Sequence, residues 1–227
     1  MPVCERCLAA PVPLEAEYFC VSCRTPFLNR YPLDAQGRCG LCRAGVRGFA
    51  SAYCFGEYEG VLRELIHLFK YRGMKPLARP LAGFLWRALP LDEVFDAVVP
   101  MPLHWRRRWS RGFNQAGLLA RELARRRGLP MIAALRRVRH TQTQTGLTHA
   151  QRRENVAGAF RLRKRARIEG KRLLLVDDVM TTGATGSACA AVLRRGGARS
   201  VTLLTLARVD RRAGLPAAPP LVMGALA

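Results

Sequence analysis

Apolar positions along the 227-residue chain change their spacing several times, and each change predicts an element. In "VLRELIHLFKY" the residues Val61, Leu62, Leu65, Ile66, Leu68 and Phe69 recur at helical spacing, and "PLARPLAGFLWRAL" repeats the pattern. "FDAVVPMPL" is an unbroken apolar run that stops at prolines, as a buried strand does. "NQAGLLARELARRRG" reads as an amphipathic helix closed by Gly128. "MIAALRRV" reads as the next strand, weakened by its alanines, and "HTQTQTGLTHAQRREN" is polar and aperiodic, hence a long loop. "GAFRLR" is a short strand, "RLLLVDD" a buried one, "ATGSACAAVLRRGG" a helix and "SVTLLTLARV" the last strand. Strands alternating with helices predict an α/β fold whose parallel sheet has right-handed crossovers and flanking helices. The first 50 residues lack such periodicity and are rich in turn formers, while the end of the chain is rich in Pro and Ala. The expected organisation is a small domain over residues 1–50, the α/β domain over 51–210 and a flexible tail over 211–227.

Cysteine usage explains how so short a first domain could fold. Seven of eight cysteines lie in the first 54 residues, six of them as CxxC pairs: Cys4/Cys7, Cys20/Cys23 and Cys39/Cys42. A CxxC turn sets two thiolates on one side of a metal, so two pairs complete a tetrahedron. Cys20, Cys23, Cys39 and Cys42 have zinc-ribbon spacing and are expected to hold a structural zinc, ahead of redox or disulfide use. All-sulfur ligation leaves no open position for chemistry. Cys4 and Cys7 lack two further ligands, since only Cys54 remains nearby. Either that pair is an orphan or it competes for the same metal. Cys54 and Cys189 sit among apolar or small residues and read as buried fillers.

Charge changes the picture again. The formal net charge is +22, and residues 104–172 hold 20 Lys/Arg against 3 Asp/Glu. Such a segment attracts polyanions, and Arg106, Arg107 and Arg108, flanked by Trp105 and Trp109, suit single-stranded nucleic acid, although burial in the core explains those aromatics equally well. The plainer alternative is a solvated basic face, because 34 of the 38 basic residues are Arg, a bias that coding composition can produce. No apolar run is long enough for a membrane-spanning helix, and "MPVCERCLAA" lacks the marks of a signal peptide, so the expected location is the cytoplasm.

The densest chemistry lies in "KRLLLVDDVMTTGATGSA". Ligands of open parallel sheets bind beyond the carboxyl ends of the strands, and "RLLLVDD" delivers Asp177 and Asp178 to that edge. Two adjacent acceptors suit a vicinal diol. Thr181, Thr182, Gly183, Ala184 and Thr185 then form a turn feeding a helix N-terminus, where amides, hydroxyls and the helix dipole converge on a phosphate. Diol and phosphate together describe a ribose 5-phosphate. Neither the nucleotide-triphosphate loop nor the dinucleotide fingerprint is present.

This stretch resembles the phosphoribosyl-pyrophosphate (PRPP) motif of type I phosphoribosyltransferases. With "HLFKYRG", "VVPMPLHWRRRWSRGFNQAGLLARELA", "QTGLTHAQRRENVAGAF" and the cysteine pairs, the chain up to about residue 210 resembles the ComF family of competence-associated phosphoribosyltransferase homologues. The resemblance implies a type I phosphoribosyltransferase-like sheet behind a zinc-ribbon domain, with Mg²⁺ accompanying PRPP. By position, Asp177 and Asp178 would take the ribose hydroxyls and stabilise positive charge at C1, and Thr181–Thr185 would take the 5-phosphate. Val99 to Pro102, opening with Val99 and Pro100, would be the loop facing pyrophosphate, and Arg106, Arg107, Arg108 and Arg111 just after it could neutralise phosphates. Gln144, Arg152 and Asn155 would belong to a hood closing over the ligand. Lys70 and Tyr71 could also reach it. The implied role is handling single-stranded DNA during natural transformation, with a competence helicase and other transformation proteins as partners. An active nucleobase phosphoribosyltransferase or a PRPP-sensing regulator are the alternatives. The family's double ribbon has four CxxC pairs and this chain has three, so Cys4 and Cys7 match the second, and a missing first pair has decayed or lies upstream of Met1.

Overall fold

The computed structural model describes residues 3–27, 30–45, 48–103, 112–139 and 158–209. In chain order the N-terminal segment carries helix α1 (Glu5–Ala9), strands β1 (Tyr18–Phe19) and β2 (Pro26–Phe27), and helix α2 (Gly40–Arg43). Then come β3 (Ser51–Glu57), α3 (Gly60–Tyr71), a 3₁₀ turn (Lys75–Leu77), α4 (Ala78–Arg87), β4 (Ala97–Pro100) and α5 (Gln115–Arg127). The remainder is β5 (Leu135–Arg137), β6 (Phe160–Leu162), β7 (Arg172–Met180), α6 (Ala184–Arg195) and β8 (Ser200–Arg208).

Four of these strands form one parallel sheet in the order β3-β8-β7-β4. Alternation along β7 shows how it is covered. Leu174 and Val176 pack with Leu65, Ile66, Phe69, Leu81 and Leu119 from the helices of one face. Leu173 and Leu175 turn to the other face, against Cys189, Ala190 and Leu193 of α6. Burial on both sides is why the run reads as continuously apolar in sequence. Arg172 and Asp96 pin the start of β7 beside β4 through Nη2–Oδ1 at 2.8 Å and a backbone amide bond at 2.7 Å.

The buried residues of the cysteine segment are not packed apart from this core. Cys20, Cys23, Phe27, Cys39 and Phe49 share one cluster with Leu173, Leu175 and Leu203 of the sheet. Gly48 lies so close to α6 that a Cβ there would meet the Ser187 carbonyl oxygen at 2.1 Å and the Ala191 nitrogen at 2.6 Å.

The helices arise where the apolar spacing places them, and Gly128 closes α5 in the left-handed conformation at φ 64°. "MIAALRRV" behaves differently from its reading. Met131 makes a single parallel bridge to Val98, and Leu135–Arg137 pairs antiparallel with β6 in a separate two-stranded sheet. Ala133 and Ala134 offer too little side chain to cover another strand of the main sheet.

Candidate functional site

The apolar run of β7 does not stop at the aspartates. It stays paired with β8 through Asp177 opposite Thr205 and Met180 opposite Arg208. Both carboxylates therefore sit on rigid, paired backbone at the sheet's carboxyl edge. Asp177 Oδ1 accepts from the Asp178 amide at 2.9 Å. Asp178 Oδ1 meets the Lys70 ammonium at 3.0 Å, and both side chains are 13% exposed. Burial, and then repulsion from Asp178, pushes Asp177 up to about 7, against the pull of Lys70 and Arg137. Burial alone would lower Lys70, but attraction to Asp178 and Asp177 outweighs it and raises the ammonium instead. The site thus holds two acids with the Lys70 ammonium against Asp178, and Arg137 and Arg72 also line the cleft.

The following turn is built for close approach. Gly183 caps α6 at φ 78°, a backbone state that strains any other residue. Thr182 Oγ1 accepts the Ala184 amide at 3.3 Å, and the first intrahelical bond runs from the Ser187 amide to the Gly183 carbonyl at 2.8 Å. The amides ahead of that bond carry the positive end of the helix dipole. Thr181, Gly183, Ala184 and Thr185 line a cleft of about 990 Å³ together with Asp177 and Asp178. Thr182 supports the turn from within.

The opposite wall starts later than the sequence reading had it. Val99 and Pro100 are buried strand residues opposite Leu175 and Val176, and the Met101 amide still bonds Val176 at 2.8 Å. Continued pairing with β7 keeps this backbone in the sheet, so Met101, Pro102 and Leu103 face the cleft instead. Asn114 Nδ2 donates to the Met101 carbonyl at 3.1 Å and ties this loop to the start of α5. Lys70 and Tyr71 also line the cleft. Arg106, Arg107, Arg108, Arg111, Gln144, Arg152 and Asn155 lie outside the described residues.

Residues 110–223 match the family described as phosphoribosyl transferase domain. Competence protein F from Haemophilus influenzae is 35% identical over 181 residues, covering 75% of this chain and 78% of the relative. This chain belongs to the ComF family. DNA utilization protein YhgH from Salmonella typhi is 34% identical over 180 residues, covering 75% of this chain and 77% of that one. Among solved structures, a glutamine PRPP amidotransferase from B. subtilis is similar at 23% identity and a TM-score of 0.39, over 56% of this chain and 25% of that chain.

The ComF cysteines form the second centre. The sulfurs of Cys20, Cys23, Cys39 and Cys42 all lie within 4.8 Å of one another. Cys20–Cys42 and Cys23–Cys39 are each 3.7 Å apart. A tetrahedral zinc with bonds of about 2.3 Å requires sulfur separations of about 3.8 Å, so the four thiols fit that ion. The surrounding bonds suit thiolates as well: the Cys39 amide donates to Cys20 Sγ at 3.3 Å, and Thr25 Oγ1 lies 3.0 Å from Cys23 Sγ. Cys4 and Cys7 are exposed on α1, outside this cluster, while Cys54 and Cys189 are buried. Among the described residues no helix is long and apolar enough to cross a membrane.

Several cleft residues escape sequence reasoning. Gln115 is 2% exposed, lines the cleft, and its Nε2 has no hydrogen-bond partner among the described residues. Arg137 approaches from β5, its charge lowering the Asp177 pKa. The motif "RGFNQ" drew attention to Arg111, yet an amide pair inside a strongly patterned stretch was the available signal for Asn114 and Gln115.

Proposed function

We propose that this ComF protein binds PRPP with Mg²⁺ in the cleft at the carboxyl edge of its sheet, and acts in DNA uptake by handling single-stranded DNA. The observation that carries the first half is the convergence of Asp177, Asp178 and the Gly183-capped turn on one cleft. The two carboxylates are the acceptors for the ribose 2- and 3-hydroxyls, and the amides opening α6 receive the 5-phosphate. Met101–Leu103 and the Gln115 amide face the remaining space, where pyrophosphate belongs. Mg²⁺, when bound, neutralises pyrophosphate as a leaving group. If transfer occurs, the acids stabilise the positive charge that develops at C1. The printed names of the relatives, a competence protein and a DNA utilization protein, support the second half, as does the basic segment 104–172.

Calorimetric titration with PRPP and Mg²⁺, then with single-stranded DNA, tests both halves. Replacing Asp177 and Asp178 by Asn keeps shape and removes two charge-assisted acceptors at roughly 1.5–3 kcal/mol each. PRPP affinity should fall about 100-fold or more, and DNA affinity should hold or rise, since negative charge is lost. PRPP affinity that survives the double change refutes the site. Pyrophosphate release with a nucleobase would favour an active transferase instead. If the double variant loses PRPP binding yet supports normal transformation in its host, PRPP is dispensable for DNA uptake.

A further inference from the structure

The cysteine centre and the phosphate turn touch through one side chain. Leu41 stands between Cys39 and Cys42 on α2. A Cβ placed on Gly183 would lie 3.0 Å from Leu41 Cδ1, with Met180 Sδ and Phe49 Cζ each at 3.7 Å, so Leu41 is the side chain that most closely covers the Gly183 backbone. Leu41 is half-buried and packed on the shared core, and it does not line the cleft. It can therefore support the turn without touching a ligand.

The turn needs such support. Thr181–Thr185 consists of small residues, Thr182 Oγ1 accepts the Ala184 amide at 3.3 Å, and the turn's glycine is intrinsically permissive. Phosphate binding by amides depends on their staying aimed, because a hydrogen bond weakens steeply once its angle falls below about 120°. Meanwhile α2 has only four residues, too few to be stable alone. Its position is set by ligation of the cysteines at either side of Leu41. Gly48, seated on Ser187 and Ala191, holds the next segment on the same helix.

We infer that Leu41 is a positioning residue through which the metal centre sets the geometry of the 5-phosphate turn. Metal occupancy and ribose-phosphate affinity are then coupled properties of the protein. This rests on the PRPP reading of the cleft.

The test uses the full chain, titrated with ribose 5-phosphate, with zinc content and far-UV spectrum measured alongside. Leu41→Ala should lose affinity by about tenfold or more, as expected for the loss of one hydrogen bond to a charged group, while keeping zinc and secondary structure, and Leu41→Met, close in volume, should restore it. Chelator treatment of the wild type should lower affinity similarly, and in Leu41→Ala it should add little, because both act through one contact. Wild-type affinity in Leu41→Ala overturns the inference alone. Loss of zinc in that variant also overturns it, since Leu41 would then serve the metal site only. If the unaltered protein does not bind ribose 5-phosphate, the PRPP reading fails first and this coupling with it.

Discussion

Asp177 occupies an unusual position for a carboxylate, since burial and Asp178 raise its pKa to about 7. In the unfolded chain it ionises in the ordinary carboxylate range. Between those limits the folded protein holds a proton that the unfolded chain has released, so stability falls as pH rises through that window. The contribution is fully present below the ordinary carboxylate range and gone above about 7. Urea midpoints at pH values spanning the window should show this decline, and Asp177→Asn should flatten it. Affinity for PRPP should move the opposite way, strengthening as the acceptor ionises. Lys70 lowers the Asp177 pKa, so Lys70→Met should shift the binding transition to higher pH. An unshifted transition in that variant would mean the cation pairs with Asp178 for structure alone.

Elements turn these residues into a site, and two glycines mark where elements meet most closely. Gly48→Ala would drive its Cβ into the Ser187 carbonyl, a backbone atom that cannot swing aside. Overpacking costs about 1–3 kcal/mol, and denaturant titration should find a loss at or above that range, together with weaker ribose-phosphate binding. A neutral Gly48→Ala would show that the cysteine segment can detach from α6 without consequence. Strands β4, β7 and β8 and helices α3 to α6 were legible because each keeps one apolar period over its length. That Asp177, Asp178 and the Gly183 turn line one cleft was legible because they share one contiguous stretch. Lys70 was reachable through the family resemblance, but Asn114, Gln115 and Arg137 come from the start of α5 and from β5, and their convergence is a product of topology, which spacing does not encode. The contact of Leu41 with Gly183 was invisible for the same reason. Residues 1–50 read as a small domain from their lack of periodicity, and spacing gave no sign that Cys20, Cys23, Cys39 and Phe49 share one buried cluster with the sheet.

At the scale of the whole molecule, the charge of +22 must be divided between the fold and any polyanion. Several arginines of segment 104–172 are engaged internally. Arg126 donates to the Arg79 carbonyl, Arg127 to Glu93 while lying over Trp86 at 4.6 Å, Arg163 to Leu135, and Arg172 pairs with Asp96. Their positive charge persists, but their hydrogen-bonding groups are partly committed. In the proposed reading the direct phosphate contacts belong to Arg106, Arg107 and Arg108, which lie outside the described residues. Each single-strand phosphate contact contributes a slope of roughly 0.7 to the dependence of log affinity on log salt. Replacing the three arginines by Gln should flatten that slope by up to about 2 units. Arg126→Gln with Arg163→Gln should change it less, because those side chains serve carbonyls of the fold. Fluorescence anisotropy with a labelled single strand across a salt series measures both. An unchanged slope in the triple variant would place the DNA elsewhere, or reduce the basic segment to coding composition.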